Sequence, residues 1–352
     1  MTERPISWDE IFEKLTEKQN LSDLQINWAM SQILDGLANN DQIKNFLLLL
    51  KAKGEKPSEV RALVDVMHQR GIAINIAERA VDIVGTGGDG ASTINISTTA
   101  AIITTAAGAR TIKHGNRAAS SKSGAADLLE ALGIDISLGA EQIQECVRRI
   151  GIGFAFAPVF HPAMKNAASA RRELATPTVF NILGPLANPA KPKAVAIGVA
   201  RAELLELVAT VLAERGCEGF IFRGDDGLDE ISLSTTSTIF QINNGEITRH
   251  IFDPSELGLE RVGIEELRGG SPGENADITR AIFAGRGGAY RQAVLLNAAA
   301  AIAAFKADFH LGLTQQLANG YTLAKQAVDS GAAAQLVERW ANLSTELAKS
   351  SL

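Results

Sequence analysis

A chain of 352 residues, 46% hydrophobic and 21% charged, has the makeup of an ordinary globular protein with two domains, or one large domain and a satellite. Its net charge of −6 sets the global field against a general nucleic-acid surface, so nucleic acid is not expected as a partner. The opening MTERPISWDE lacks a basic-then-apolar leader, and no uncharged apolar run is long enough to span a bilayer; the expectation is a cytoplasmic protein with no membrane partner.

From Trp8 to Gly71 the apolar residues recur at three- and four-residue spacing, as in Leu24, Trp28, Ile33 and Leu37 and then Phe46, Leu49 and Leu50, which predicts helices. Ser22 and Ser58 occupy N-cap positions, the second after Pro57, and Gly54 and Gly71 stand where helices stop. A small α-helical domain over residues 1–78 is expected. Its FLLLL run, 46–50, reads as core, with a dimer contact as the alternative. The grammar changes at Ala80, where VDIV predicts a short buried strand feeding a glycine loop and a helix. A strand at 111–113, helices at 125–132 and 140–150, strands at 194–199 and 219–223, and alanine-rich helices at 289–305 and 322–343 extend an α/β region over 79–350. Cys146 and Cys217 lack metal or redox spacing and are expected to be buried, reduced thiols.

Three loops carry the chemistry. Val84 leads into GTGGDG, 85–90, and ASTINIST then opens a helix with Asn95, Ser97 and Thr98 at its start. Glycines let the backbone approach a ligand, and free N–H groups at a helix start point at negative oxygens, so this is a candidate anion site. A Walker A loop would need a GK[ST] ending, which is absent. Gly85, Gly87 and Gly90 also satisfy GxGxxG, but Arg110 and Lys113 stand where a dinucleotide site wants an acid. An NADP-type site and a ligand-free glycine turn stay open on this loop alone. The strand at 111–113 runs into HGNRAASSKSG, 114–124, whose cations and hydroxyls form a second candidate cradle, or a solvated basic loop.

In GDDGLDEIS, 224–232, Asp225, Asp226, Asp229 and Glu230 crowd one loop. A pair such as Asp229 and Glu230 facing a phosphate loop suits Mg2+, which takes few protein oxygens and keeps several waters; an acidic hairpin turn is the alternative. The segment FAPVFHPAMKNAASARREL places Pro158, His161 and Met164 before or early in a helix that presents Arg171 and Arg172; the planar fork of such an arginine would pair with a carboxylate ligand or form a surface ion pair.

Taken together, GTGGDGASTINIST, KHGNRAASSKSGAADLLEALG, FHPAMK…RREL, FNILGPLANP and GDDGLDE resemble the anthranilate phosphoribosyltransferase family of tryptophan biosynthesis, in that family's order and over roughly residues 8–342. The resemblance implies a small N-terminal α-helical domain, joined by a segment near 162–190, that mediates homodimerisation, and a large α/β domain of the nucleoside phosphorylase/phosphoribosyltransferase type. It implies transfer of the phosphoribosyl group of 5-phosphoribosyl 1-diphosphate to the amine of anthranilate, with Mg2+ as cofactor. Carried over by position, Gly85, Gly88, Asp89, Thr93, Asn95, Ile96, Ser97, Thr98, Lys113, His114, Gly115, Asn116, Arg117, Ala118, Ala119, Ser120, Ser121 and Ala125 would hold phosphoribosyl diphosphate. Asn116 and Arg171 would orient anthranilate, Arg171 through its carboxylate, with Gly85, His114, Pro158 and His161 lining the approach. Ser97, Asp229 and Glu230 would hold Mg2+.

Three positions depart from the family pattern: Arg223 where His is common, Ala175 where Gly usually follows RREL, and Ala125 in place of a frequent Ser. A pyrimidine nucleoside phosphorylase and a non-catalytic, nucleic-acid-binding paralogue are the rival readings. The first would lack the KHGNR block with a downstream RREL helix, and the second would lose the metal carboxylates.

Overall fold

The computed structural model describes residues 5–118 and 121–350. Helices Trp8–Thr16, Asp23–Leu34, Asn40–Lys53 and Pro57–Arg70 come first. Ser22 and Asn39 cap the second and third through capping boxes with Gln25 and Gln42. The fourth begins at Pro57, whose missing N–H is one that a helix start leaves unbonded, so Ser58 lies inside the first turn and Lys56 is the cap residue. Of the FLLLL run, Phe46, Leu47 and Leu50 enter the core, while Leu48 faces out. Glu59 is 0% exposed and is satisfied on every side, accepting the N–H groups of Leu21 (2.9 Å) and Lys56 (2.9 Å) and pairing with Lys53 Nζ at 2.8 Å.

The sheet has strands β1 (Val81–Gly85), β2 (Thr111–Gly115), β3 (Ile152–Phe156), β4 (Ala194–Gly198), β5 (Glu218–Gly224), β6 (Ser237–Asn243) and β7 (Glu246–Phe252). They lie in the order β3-β2-β1-β4-β5-β6-β7, with β1 to β5 parallel and β6 and β7 antiparallel. Ala194, Ala196, Phe220 and Phe222 point into one apolar core, and Val195, Ile197 and Ile221 into another on the opposite face. Both faces are thus covered, which is why the parallel strands read as unbroken apolar runs. The result is the expected fold class, a small α-helical N-terminal domain and a large α/β domain.

Strands β3, β6 and β7 add to those read from sequence. The last two form a hairpin whose turn, Asn244 (φ 51°) and Gly245 (φ 81°), is the Asn-Gly pair that left-handed two-residue turns favour. The helix expected over 322–343 is two helices, Leu313–Asp329 and Ala332–Lys349, because Gly331 adopts the left-handed conformation (φ 77°) between them. Helices Ala289–Lys306 and Leu313–Asp329 approach closely at Gly320, where a Cβ would stand 2.4 Å from the Ala299 carbonyl oxygen.

The segment after β3 turns back onto the first helices. Asn166 Nδ2 donates to Leu34 O (2.8 Å), Lys44 pairs with Glu173 (2.9 Å), and Lys51 Nζ donates to the Thr176 hydroxyl (3.1 Å). Cys146 is buried and Cys217 only partly so, and both are free thiols. Among the described residues no helix is long and apolar enough to cross a membrane. Removing one partner of a buried ion pair leaves an uncompensated charge, so Glu59→Ala should lower unfolding stability by about 3–5 kcal/mol in denaturant titrations followed by circular dichroism. A loss below about 1 kcal/mol, the range of exposed pairs, would contradict this account of the bundle.

Candidate active site

In an open α/β sheet, ligands bind beyond the carboxyl ends of the strands where the strand order reverses. That point lies between β1 and β4, whose last residues Gly85 and Gly198 are register partners. A cleft of about 880 Å³ opens there.

The acidic loop that follows β5 lies directly across these two strand ends. A Cβ on Gly198 would fall 1.6 Å from the Asp229 carbonyl oxygen, and one on Gly85 would fall 2.1 Å from Asp229 Oδ2. Only glycine leaves room at either position. Gly87 N–H donates to the same Oδ2 at 2.6 Å. Four neighbouring acids separate into two jobs. Asp225 accepts from the hydroxyls of Thr236 and Thr238, and Asp226 from those of Ser232 and Ser234 and from Leu228 N–H, so this pair folds the loop. Asp229 and Glu230, both buried, line the cleft.

These carboxylates are short of positive charge. Burial, then repulsion from Asp89, raises Asp229 to about 7; burial, then Asp229, raises Glu230 well above the usual carboxylate range. The nearest cation is Lys113, 1% exposed, whose Nζ donates to Ile83 O (2.6 Å) and Ser97 Oγ (3.2 Å). Burial lowers its pKa, while Asp82, Glu230 and Asp229 favour its charge. Asp82 is itself held beneath the floor by Asn188 Nδ2 (2.8 Å), and burial pushes it up to about 6. Asp229, Glu230 and the Ser97 hydroxyl are hard oxygen donors in a site with excess negative charge, and a divalent cation fits them. Mg2+ takes few protein oxygens and completes its shell with water and phosphate oxygens, so two carboxylates and a hydroxyl are a donor set it can use.

Two loops flank this pair. Gly87, Gly88 and Gly90 hold φ near +68°, +83° and +75° with open space above them. The outgoing stretch is bonded to a distant segment, with Ile94 N–H to Leu267 O (2.9 Å) and Gly269 N–H to Ser92 O (2.8 Å). Helix Ile96–Ala106 starts at Asn95, whose side chain does not cap it. Asn95 instead joins the loops: Nδ2 donates to Ser123 O (2.9 Å), and Oδ1 accepts from Ser123 Oγ (3.0 Å) and Asn275 Nδ2 (2.8 Å). The second loop is gathered by Asp127, which accepts the N–H groups of Ala118 (3.0 Å) and Gly124 (2.8 Å) and pairs with Arg117 (2.9 Å). Arg117 also pairs with Glu130 and lies over the Phe156 ring at 5.6 Å.

The other wall comes from the segment after β3. His114 Nδ1 faces Gly184 O at 2.8 Å and therefore carries the proton; burial lowers its pKa to about 3, keeping the ring neutral. Its Nε2 has no partner among the described residues. The His161 ring stands edge-on at 5.3 Å with Nε2 on Ala187 O (2.8 Å), and it packs into the space left by Gly71. Arg171 lies over the Phe180 ring at 6.0 Å and has no carboxylate partner among the described residues, which counts against the surface ion-pair reading.

Gly85, Gly88, Asp89, Thr93, Asn95, Ile96, Ser97, Thr98, Lys113, His114, Gly115, Asn116, Arg117, Ala118, Ser121, Ala125, Pro158, His161, Arg171, Asp229 and Glu230 all line this one cleft. Ala119 and Ser120 lie outside the described residues. Sequence reasoning missed Met67, brought in by the fourth helix, and Asn181, Gly184 and Pro185 from helix Phe180–Leu186. The last three sit in the FNILGP block, whose position after RREL was a usable signal; Met67 carried none.

The a/b domain of the glycosyl transferase family matches residues 77–334, and the helical bundle domain of that family matches residues 9–71. Anthranilate phosphoribosyltransferase of Rhodococcus jostii (strain RHA1) is 50% identical over 344 residues, covering 98% of this chain and 95% of the relative. The chain belongs to the anthranilate phosphoribosyltransferase family. The solved anthranilate phosphoribosyltransferase from Thermus thermophilus has a TM-score of 0.88 at 36% identity, covering 95% of this chain and 99% of its own. Anthranilate phosphoribosyltransferase from Saccharomyces cerevisiae in complex with PRPP and Mg has a TM-score of 0.87 at 27% identity, covering 96% of this chain and 98% of its own.

Against the anthranilate phosphoribosyltransferase pattern, the departure at Arg223 is directed away from the cleft, its Nε donating to Ala200 O at 2.7 Å. Ala175 takes the left-handed conformation (φ 46°) that the usual glycine adopts without strain. Ala125 is in the cleft wall, where a serine would add a hydroxyl. Gly198→Ala should leave the protein folded but displace Asp229 and abolish any Mg2+-dependent gain in diphosphate binding, read by calorimetry. Full retention of that gain would contradict the packing described.

Proposed function

We propose that this chain transfers the phosphoribosyl group of 5-phosphoribosyl 1-diphosphate to the amine of anthranilate, giving N-(5-phosphoribosyl)anthranilate and diphosphate in tryptophan biosynthesis. The observation that carries the reading is the meeting, in one cleft, of two loops rich in glycine, serine and cations, a buried carboxylate pair and, on the opposite wall, an arginine with no carboxylate partner among the described residues. Gly85, Gly88, Asp89, Thr93, Asn95, Ile96, Ser97 and Thr98, with Lys113 to Ser121 and Ala125, hold phosphoribosyl diphosphate. Ser97, Asp229 and Glu230 hold Mg2+, which when bound neutralises charge on the diphosphate. Binding of PRPP and Mg by the S. cerevisiae relative supports this assignment.

The bond from the ribose C1 to the diphosphate oxygen breaks as the anthranilate nitrogen forms its bond to C1, and the nitrogen then gives up a proton. The ribose acquires oxocarbenium character on the way, so donors aimed at the departing diphosphate lower the barrier. An aromatic amine is already unprotonated at neutral pH, and orientation rather than a strong base does the rest. Arg171 binds the anthranilate carboxylate and Asn116 orients the ring, while Gly85, His114, Pro158 and His161 line the approach. The neutral, desolvated His114 and His161 add no competing charge to this wall.

Residues 1–78, joined by the segment 162–190, form a dimerisation unit of a homodimer, and residues 79–350 the catalytic α/β domain. The exposed Leu24 and Leu48 on the second and third helices, and Leu37 in the connection between them, support a self-contact there. The two free thiols suit the reducing cytoplasm.

Anthranilate fluorescence should fall with time when phosphoribosyl diphosphate and Mg2+ are both present and stay constant without Mg2+. A steady signal under all conditions would overturn the reading. Arg171→Ala should raise the KM for anthranilate at least about tenfold, the value of one charge-assisted bond, while phosphoribosyl diphosphate affinity by calorimetry stays near that of the unaltered protein. Equal losses in both would remove Arg171 from the acceptor site.

A further inference from the structure

Helix Ala289–Lys306 is buried along most of its length, and its inward residues from Ala293 to Ala304 are apolar except for Asn297, which is 0% exposed. An amide in such a place is costly unless its hydrogen-bonding groups are met. Here they are met by one residue of the acidic loop. Asn297 Oδ1 accepts Ile231 N–H at 2.8 Å, and Nδ2 donates to Ile231 O at 3.1 Å and to Ala293 O, one turn back, at 3.0 Å. The side chain pairs with both main-chain groups of Ile231 as a neighbouring strand would. Ile231 directly follows Glu230.

We propose that Asn297 is a positioning residue that fixes the Glu230 carboxylate for the divalent cation. Asp229 is seated from below by Gly85 and Gly198, with Gly87 N–H on its carboxylate, and Glu230 accepts from the Ser97 backbone, but none of these contacts involves Ile231. The two-point clamp holds Ile231, the residue directly after Glu230, from the side of helix 289–306. Helix 289–306 also packs on β4 and β5, so the clamp refers Glu230 to the same rigid sheet that seats Asp229. Outer residues that orient metal ligands in this manner typically change metal affinity or activity by 10–100-fold when lost. The inference rests on the functional reading above, since it needs Glu230 to serve a cation.

The test compares the unaltered protein with Asn297→Leu, close in volume but without hydrogen-bonding groups. Should that variant fail to fold, Asn297→Asp keeps an acceptor for Ile231 N–H and loses both donations. Two quantities are read on a variant with a native circular dichroism spectrum. One is the gain in phosphoribosyl diphosphate affinity on adding Mg2+, by calorimetry; the other is the Mg2+ concentration for half-maximal turnover alongside the KM for anthranilate. The expected result is a Mg2+ requirement raised about 10–100-fold, a calorimetric gain reduced by a similar factor, and an unchanged anthranilate KM. A folded variant with an unaltered Mg2+ requirement, or one in which the anthranilate KM rises in step with it, overturns the inference alone. If the unaltered protein gains no phosphoribosyl diphosphate affinity from Mg2+, the functional reading fails and the inference with it.

Discussion

Two register-paired glycines at adjacent strand ends, Gly85 and Gly198, have no space for a side chain because Asp229 occupies it. Much of the cleft depends on that contact. It brings a loop from the end of β5 back across β1 and β4, so carboxylates more than a hundred residues from the first glycine loop stand beside it. The strand-order reversal supplies the crevice, and the missing Cβ atoms allow the loop to settle into it rather than over it. Asp225 and Asp226 are held by hydroxyl groups of the β5–β6 connection and of β6, which keeps the loop compact without using the inward pair.

The second constraint is electrostatic. Asp82, Asp229 and Glu230 gather around one buried lysine, with Asp89 acting on the last two, and desolvation disfavours the ionised forms of Asp82, Asp229 and Glu230. Lys113 and the backbone N–H groups of Gly87 and Ser97 offset part of that charge. The negative charge that remains suits a divalent cation. The flanking loops are not independent of each other. Asn95 and Ser123 join them, Asn275 fastens that joint to a C-terminal helix, and Asp127 gathers the second loop onto its own helix.

Features legible in the sequence were local ones. GTGGDG before a helix and HGNRAASSKSG after a strand expose their purpose because backbone freedom, hydroxyls and helix-start donors lie within a dozen residues. Periodicity gave the helical and α/β regions, residue type made Arg171, Asp229 and Glu230 candidates, and the family resemblance gave each of the three a role. What stayed hidden depends on contacts between distant segments. The reason that Asp229 and Glu230, and not Asp225 and Asp226, face the cleft lies in the hydroxyls of Thr236, Ser232 and Ser234, and the seat of Asp229 in Gly198. Met67 reaches the cleft, and Asn297 the acidic loop, through helix packing. Strand β3 hides in IGFAF, too short for period to tell it from a helix, and the β6–β7 hairpin was overlooked although Asn244-Gly245 marks it plainly. The split at Gly331 shows one left-handed glycine overriding a continuous helical pattern.

The most direct test of the central claim is a crystal structure of the protein with phosphoribosyl diphosphate and Mg2+. The account predicts the diphosphate at the start of helix Ile96–Ala106, between the loops at 85–90 and 114–124, with a metal about 2.0–2.1 Å from a carboxylate oxygen of Asp229 or Glu230. A diphosphate bound elsewhere, or a metal held without either carboxylate, would contradict it.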